Sequence, residues 1–91
     1  MPSEMTAIHL PEIVLLSRPG CHLCEDLAEM LADVQSEMGF AVEEVDITRD
    51  AALFVRYRYE IPVLRMGAVE IARGRIGERD LLERLNAVIS R

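Results

Sequence analysis

The chain has 91 residues, a formal net charge of −6, 51% hydrophobic residues and 29% charged residues. A chain of this length forms one domain with one modest core, and its acidic balance opposes binding to nucleic acid or to anionic membranes. No segment approaches the roughly 18 uninterrupted apolar residues of a membrane-spanning helix, and all ten basic residues are arginines, which excludes covalent catalysis by lysine.

Residues 1–11 read as an N-terminal tail, and residues 12–91 read as the domain. The tail lacks the basic segment, long apolar stretch and small-residue cleavage site of a secretory signal. Secreted domains of this size usually carry several disulfides, whereas this chain has two cysteines. We therefore expect a cytoplasmic monomer without membrane or nucleic-acid partners.

The first half of the domain predicts a strand, a helix and a second strand. The apolar run from Glu12 to Ser17 is typical of a strand buried on both faces, ended by Arg18-Pro19-Gly20. From Cys21 the apolar residues recur at helical spacing, which predicts a helix of about 17 residues capped by Gly39. Phe40 to Ile47 alternates partly between apolar and polar residues, and this pattern predicts the second strand.

A short second helix is predicted over Ala51 to Tyr57, with Thr48 or Asp50 as its cap. Ile61-Pro62 ends it, because the residue before a proline disfavours helical backbone.

The last third of the chain predicts a hairpin and a final helix. Pro62 to Arg65 and Ala68 to Ala72 read as two strands joined by a tight turn at Met66-Gly67. Glycines 74 and 77 then break the chain, and a helix follows whose apolar stripe comprises Leu81, Leu82, Leu85, Val88 and Ile89. The order β-α-β-α-β-β-α requires a mixed four-stranded sheet with helices on its faces, an α/β sandwich.

The motif Cys21-His22-Leu23-Cys24 lies at the predicted start of the first helix, just after the first strand. Unpaired backbone N–H groups at a helix N-terminus favour a thiolate, and cysteines in such motifs have pKa values of about 3.5–7.5. Arg18, three residues upstream, adds a cation. We therefore expect Cys21 to be the attacking sulfur, and Cys24, on the apolar stripe of the helix, to be the buried resolving thiol.

Two other interpretations of the cysteines stay open. Cys24 could be a core residue and Cys21 an incidental thiol, since cysteine is often buried as a small hydrophobe. The pair could also hold a soft metal ion between two thiolates. A tetrahedral zinc site is disfavoured, because its two further ligands would have to be His22, which lies between the cysteines, and His9, which lies in the predicted tail. A ferredoxin-like copper carrier would end on a strand instead of a helix. The spacing and topology favour redox chemistry.

Ile61-Pro62 lies at the start of the third predicted strand. A proline is tolerated there because the first residue of a strand need not donate to the ladder. The general frequency of X–Pro bonds favours a trans proline that merely ends the second helix.

Together, Ser17 to Cys24, Val45-Asp46-Ile47, Ile61 to Leu64 and Gly74-Arg75 resemble the glutaredoxin-like members of the thioredoxin superfamily, and the small bacterial glutaredoxin-like family in particular. The similarity covers about residues 12–90 and implies the thioredoxin-like (glutaredoxin-type) fold. The chain departs from the Cys-Pro-Tyr-Cys of many glutaredoxins, and their glutathione-holding Gly-Gly-x-Asp-Asp segment is reduced to Gly77-Glu78-Arg79-Asp80.

The resemblance implies a cis proline at Pro62 facing the Cys21 sulfur, with Ile61 offering backbone hydrogen bonds to the substrate. It also implies that Arg58, or its neighbour Arg56, pairs with the glycine carboxylate of glutathione. A solvated helix face is the competing interpretation for these two arginines.

From these features we expect the chain to be a thiol–disulfide oxidoreductase that reduces protein disulfides or glutathione mixed disulfides. Its catalytic residues would be Cys21 and Cys24, and its substrate-binding residues Ile61, Pro62, Arg18 and Arg58. No metal and no tightly bound cofactor is expected, and a thiol system, with glutathione as the candidate, would recycle the pair. The alternative is a non-catalytic binding module or soft-metal carrier that uses the same thiols.

Overall fold

The computed structural model describes residues 10–90, which form a mixed four-stranded sheet covered by three α-helices. In chain order the elements are β1 (Glu12–Ser17), α1 (His22–Met38), β2 (Ala41–Asp46), a 3-10 turn (Ile47–Arg49), α2 (Ala51–Tyr57), β3 (Val63–Met66), β4 (Val69–Arg73) and α3 (Glu78–Ile89). This order confirms the predicted thioredoxin-like α/β sandwich. Of the predicted tail, residues 1–9 lie outside the described part of the chain, so that prediction stays open. None of the helices described is long and apolar enough to cross a membrane.

The sheet has the strand order β2-β1-β3-β4. β1 and β2 are parallel, and α1 provides the helical crossover that a parallel pair needs. β3 runs antiparallel to β1, with Leu16 opposite Val63. The last residues of β1 and the first residues of β3 therefore lie side by side at one end of the sheet, the end from which the Cys21 loop departs.

Local hydrogen bonds explain where the first two helices begin and end. α1 stops at Gly39, whose φ of +75° is left-handed and whose N–H bonds to the Gln35 carbonyl at 3.0 Å. α2 begins at Asp50, whose carboxylate accepts from the Leu53 N–H at 3.0 Å, so Asp50 is the cap. The 3-10 turn before it was not predicted, and Asp46 caps that turn through the Thr48 N–H.

The hairpin differs by one residue from the predicted one. Met66 belongs to β3 and lies opposite Val69, so the turn is formed by residues 67 and 68 instead of Met66-Gly67. Gly67 has a φ of +61°, the positive value that two-residue hairpin turns require at their first position. Gly67 adopts this conformation without strain, so the turn begins at Gly67.

The sheet divides the apolar interior into two compartments of unequal size. The larger one lies under α1 and α3 and contains eleven buried residues: Ile13, Leu15, Leu27, Leu31, Val34, Phe40, Leu64, Ile71, Ala72, Leu81 and Leu85. The smaller one lies under α2 and has three buried residues, Leu16, Ile47 and Val63. The alternation of β1 explains the division, because successive side chains of a strand point to opposite faces.

Candidate active site

Cys21 and Cys24 come together at the start of α1. Their sulfur atoms lie at disulfide-bonding distance, and their Cα atoms are 5.2 Å apart. This separation falls within the range of about 4.4–6.8 Å that is usual for disulfides. A CxxC motif at a helix start satisfies this geometry because residues i and i+3 of a helical turn are neighbours.

Cys21 is the N-cap residue of α1. Its backbone is extended, with φ −94° and ψ 106°, and its sulfur accepts a hydrogen bond from the Cys24 backbone N–H at 3.2 Å. The sulfur therefore occupies the position that a serine or aspartate oxygen takes in an ordinary N-cap. The same N–H would stabilise a Cys21 thiolate when the disulfide is reduced.

The two cysteines differ in their access to solvent. Cys24 is 1% exposed and packs in the apolar interior, whereas Cys21 is half-buried. Because an incoming disulfide must reach the attacking sulfur, only Cys21 is open to that role. The beginning of α1 thus has one cysteine that is partly exposed and one that is buried.

A shallow crevice lies beside the loop that leads to Cys21. Arg18 lies in it, together with the carboxylate-bearing residues Glu25, Glu44 and Asp46. Ser17 forms the floor: it is 3% exposed and its hydroxyl donates to Glu44 at 2.8 Å. The predicted cation near the motif therefore sits among acidic side chains, a setting that sequence spacing did not indicate.

Asp46, at the same crevice, has a carboxylate that is stabilised by hydrogen bonds from Thr48. The Thr48 hydroxyl donates to its carboxylate at 2.6 Å and the Thr48 backbone N–H at 2.9 Å. These hydrogen bonds, the side-chain bond foremost, lower the pKa of Asp46 from its ordinary value of 3.8.

Ile61 and Pro62 lie immediately before β3, at the sheet end from which the Cys21 loop departs. Their peptide bond is cis, and Pro62 is buried. The Ile61 N–H donates to the Tyr57 carbonyl at 3.2 Å, and the Pro62 carbonyl accepts from the Gly74 N–H at 2.8 Å. Of the Ile61 backbone groups expected to bind substrate, the N–H is therefore already hydrogen-bonded within the fold. The Ile61 carbonyl accepts no hydrogen bond from the residues between 10 and 90.

Arg58 ends α2 and lies exposed on the surface. Its guanidinium stacks over the Phe54 ring at 5.5 Å and over the Tyr59 ring at 4.8 Å. Arg56 differs, because it pairs with Glu60 at 3.2 Å. Of the two arginines that the resemblance offered for a carboxylate, Arg58 is the one whose described contacts are aromatic instead of ionic.

A groove runs along the other side of the motif, between α1 and the loop that precedes α3. It is lined by Leu23, Leu27, Met30 and Ile76, together with Asp26 and Arg75. Leu23 is one of the two residues between the cysteines, so the groove reaches the motif itself.

A cluster of four charged residues next to Ile61 was missed by sequence reasoning. Arg73, at the end of β4, forms two hydrogen bonds to Glu70, at 2.9 and 2.5 Å, and also pairs with Glu60. Glu60 in turn contacts Arg56. The short spacings 56–60 and 70–73 were visible signals, but the link between Glu60 and Arg73 depends on the folded hairpin.

The ion pairs of this cluster also shift the pKa values of Glu70 and Arg73. The hydrogen bonds from Arg73 lower the pKa of Glu70 from its ordinary value of 4.5. The same bonds, with those to Glu60, raise the pKa of Arg73. Both shifts favour the charged forms of Glu70 and Arg73.

No group of three or more His, Cys, Asp or Glu side chains arranged to hold a metal ion occurs within residues 10–90. His22, between the cysteines, approaches Glu25 at 3.7 Å and is almost fully exposed. His9, the other histidine considered as a ligand, lies outside the described residues.

Proteins of two mycobacteria are similar in sequence to this chain over most of its length. The uncharacterized protein Rv0508 of Mycobacterium tuberculosis (strain ATCC 25618 / H37Rv) is 31% identical over 86 residues, covering 89% of this chain and 84% of that protein. The uncharacterized protein Mb0520 of Mycobacterium bovis matches to the same extent, at 31% identity with the same coverage.

Two solved structures are similar to this one. The structural-genomics target protein XcR50 from X. campestris superposes with a TM-score of 0.71 at 34% identity, covering 84% of this chain and 97% of that one. Protein Ne2328 from Nitrosomonas europaea gives a TM-score of 0.68 at 24% identity, covering 84% and 92%, and supports the fold alone.

The family model described as Glutaredoxin-like domain (DUF836) matches residues 12–86. This stretch contains all four strands, both cysteines and the Ile61–Pro62 bond. The chain belongs to the glutaredoxin-like domain family.

Proposed function

We propose that the protein is a thiol–disulfide oxidoreductase that reduces disulfides through Cys21 and Cys24. The observation that carries this proposal is the pairing of a half-buried Cys21 sulfur, at a helix N-terminus, with a buried Cys24 sulfur at disulfide-bonding distance. Membership of the glutaredoxin-like family supports it.

The reaction proceeds by two exchanges. The Cys21 thiolate attacks a substrate disulfide, forming a mixed disulfide and releasing the first substrate sulfur as a thiolate, which takes up a proton. Cys24 then loses its proton and attacks the Cys21 sulfur, which releases the second substrate thiol. Two electrons pass from the dithiol to the substrate, and the protein is left with the Cys21–Cys24 disulfide. Two molecules of a thiol reductant, or one dithiol, restore the reduced pair.

The environment of the two sulfurs favours this division of labour. The Cys24 N–H that bonds to the Cys21 sulfur stabilises a thiolate, and the apolar surroundings of Cys24 favour its neutral thiol until it is needed. The Ile61 carbonyl lies at the same end of the sheet, where it can accept a hydrogen bond from a substrate backbone. We propose a disulfide-bearing protein or a glutathione mixed disulfide as substrate, and the cytoplasm as the compartment.

Single cysteine substitutions test the proposal. The wild-type protein should reduce a reporter protein disulfide or a glutathione mixed disulfide with a thiol as reductant. Cys21→Ser should lose all activity. Cys24→Ser should form a mixed disulfide at Cys21 that mass spectrometry detects, because the resolving step is missing.

The control and the contrary outcome are equally direct. Cys24→Ser treated with the reduced form of the substrate should acquire no adduct. Absence of turnover in the wild type, combined with stoichiometric tight binding of Cu(I) or Zn(II), would replace the oxidoreductase with a metal carrier that uses the same thiols.

A further inference from the structure

The charged cluster beside Ile61 joins the segment before Pro62 to the end of β4. Glu60 immediately precedes Ile61, and its carboxylate contacts Arg73 from β4 and Arg56 from α2. Arg73 is held in turn by two hydrogen bonds to Glu70. We call Arg56, Glu60, Glu70 and Arg73 the Arg73 cluster.

Backbone hydrogen bonds fix the same segment from its other sides. The N–H groups of Glu60 and Ile61 both bond to the Tyr57 carbonyl, at 2.7 and 3.2 Å, and the Gly74 N–H bonds to the Pro62 carbonyl at 2.8 Å. In addition to these three hydrogen bonds, the Glu60 carboxylate links this segment to β4 through its ion pair with Arg73.

The position of this segment matters for Cys21 because of the strand pairing. Arg73 lies opposite Val63, and Val63 lies opposite Leu16, five residues before Cys21. A displacement of residues 60–62 relative to β4 therefore changes their distance from the loop that carries the attacking sulfur.

We propose that Arg73 is a positioning residue that, through Glu60, holds the Ile61 carbonyl where a disulfide substrate docks beside Cys21. This inference rests on the proposed oxidoreductase function. Arg73 itself does not touch the reacting sulfurs.

The partial exposure of the cluster favours positioning over stability as its role. The side chains of Arg73, Glu60 and Glu70 are 38%, 34% and 37% exposed. An isolated ion pair at such exposure contributes little to the stability of a fold, whereas a two-point or networked pair contributes more, which is why thermal stability is compared with KM in the test below. Arg73, however, engages two carboxylates at once, and a planar guanidinium that forms a two-point contact fixes direction as well as distance.

Two variants and one matched control test the inference. Glu60→Gln removes the acceptor charge, and Arg73→Met removes the cation and retains the apolar stem. Arg84→Met is the control, because Arg84 contacts β4 from α3, donating to the Ile71 carbonyl at 3.2 Å, and is not a member of the Arg73 cluster. For each protein we would measure kcat and KM for a reporter protein disulfide, the Cys21–Cys24 redox potential, and alkylation of reduced Cys21 by iodoacetamide.

The expected result is a selective loss of docking. Glu60→Gln and Arg73→Met should raise KM by about fivefold to tenfold, since small displacements of a positioning group weaken productive binding. The redox potential and the alkylation rate should not change, because a small reagent needs no docking surface. The double variant should equal the larger single effect if both residues act through one contact, and Arg84→Met should leave KM near the wild-type value.

Three other outcomes are decisive. Unchanged KM in both variants of an active protein would overturn the inference alone. Equal losses in KM, potential, alkylation and thermal stability would also overturn it, because they would indicate a general structural role. A wild-type protein without reductase activity would overturn the proposed function and the inference together.

Discussion

At the scale of single residues, the two cysteines have opposite environments although they are three positions apart. Cys21 caps α1 with its sulfur and reaches the surface, whereas Cys24 is 1% exposed within the apolar interior. Reactivity of a cysteine follows its thiolate fraction and its access to solvent. Both factors favour Cys21.

Alkylation of the reduced protein provides a residue-scale prediction. Cys21 should react with iodoacetamide with a pH midpoint below about 8.5, the value of a free thiol, because the helix N-terminus stabilises its thiolate. Cys24 should stay unlabelled until the protein unfolds. Peptide mass spectrometry after timed labelling distinguishes the two sites, and labelling in denaturant supplies the reference rates. Equal labelling of both cysteines in the folded protein would contradict this prediction.

At the scale of elements, the sequence predicted each helix and strand because caps and periodicity agree locally. Gly39 ends α1 and Asp50 begins α2, and both assignments depend only on neighbouring residues. The 3-10 turn capped by Asp46 escaped prediction because Asp46 also fitted the alternation of β2. The hairpin turn moved by one residue because pairing between Met66 and Val69 depends on the partner strand.

Removal of the Asp50 cap tests the account of α2. Asp50→Ala should destabilise the protein by about 1 kcal/mol, the usual cost of a lost N-cap, which corresponds to a decrease in Tm of roughly 4–8 °C for a domain of this size. Asp50→Asn is the matched control, since asparagine caps helices as well as aspartate does. Thermal unfolding followed by circular dichroism measures both, and an equal loss in the two variants would point to charge instead of capping.

At the scale of the whole molecule, the sheet places residues distant in sequence around the end of β1. Cys21 and Cys24 could be nominated from sequence because a CxxC motif is a local signal, and Pro62 because of the resemblance to the glutaredoxin-like family. The crevice around Arg18 and the link from Glu60 to Arg73 could not, because they depend on how β2 and β4 lie beside the central strands. The sequence therefore indicated the proximity of the two cysteines better than it indicated the side chains around them.

The unequal division of the apolar interior has a consequence for how the molecule opens. α2 contains no buried residue and packs on the compartment that has three buried residues. α1 and α3 belong to the compartment that has eleven buried residues, some of which are their own. Segments with few buried contacts open locally at a lower free energy than the core. Amide hydrogens of α2 should therefore exchange with deuterium faster than those in the middle of α1, as mass spectrometry of peptides would show, and equal protection of both helices would refute this expectation. Since α2 leads directly into residues 60–62, its opening would release the backbone that we propose faces the substrate, while both cysteines stay at the start of α1.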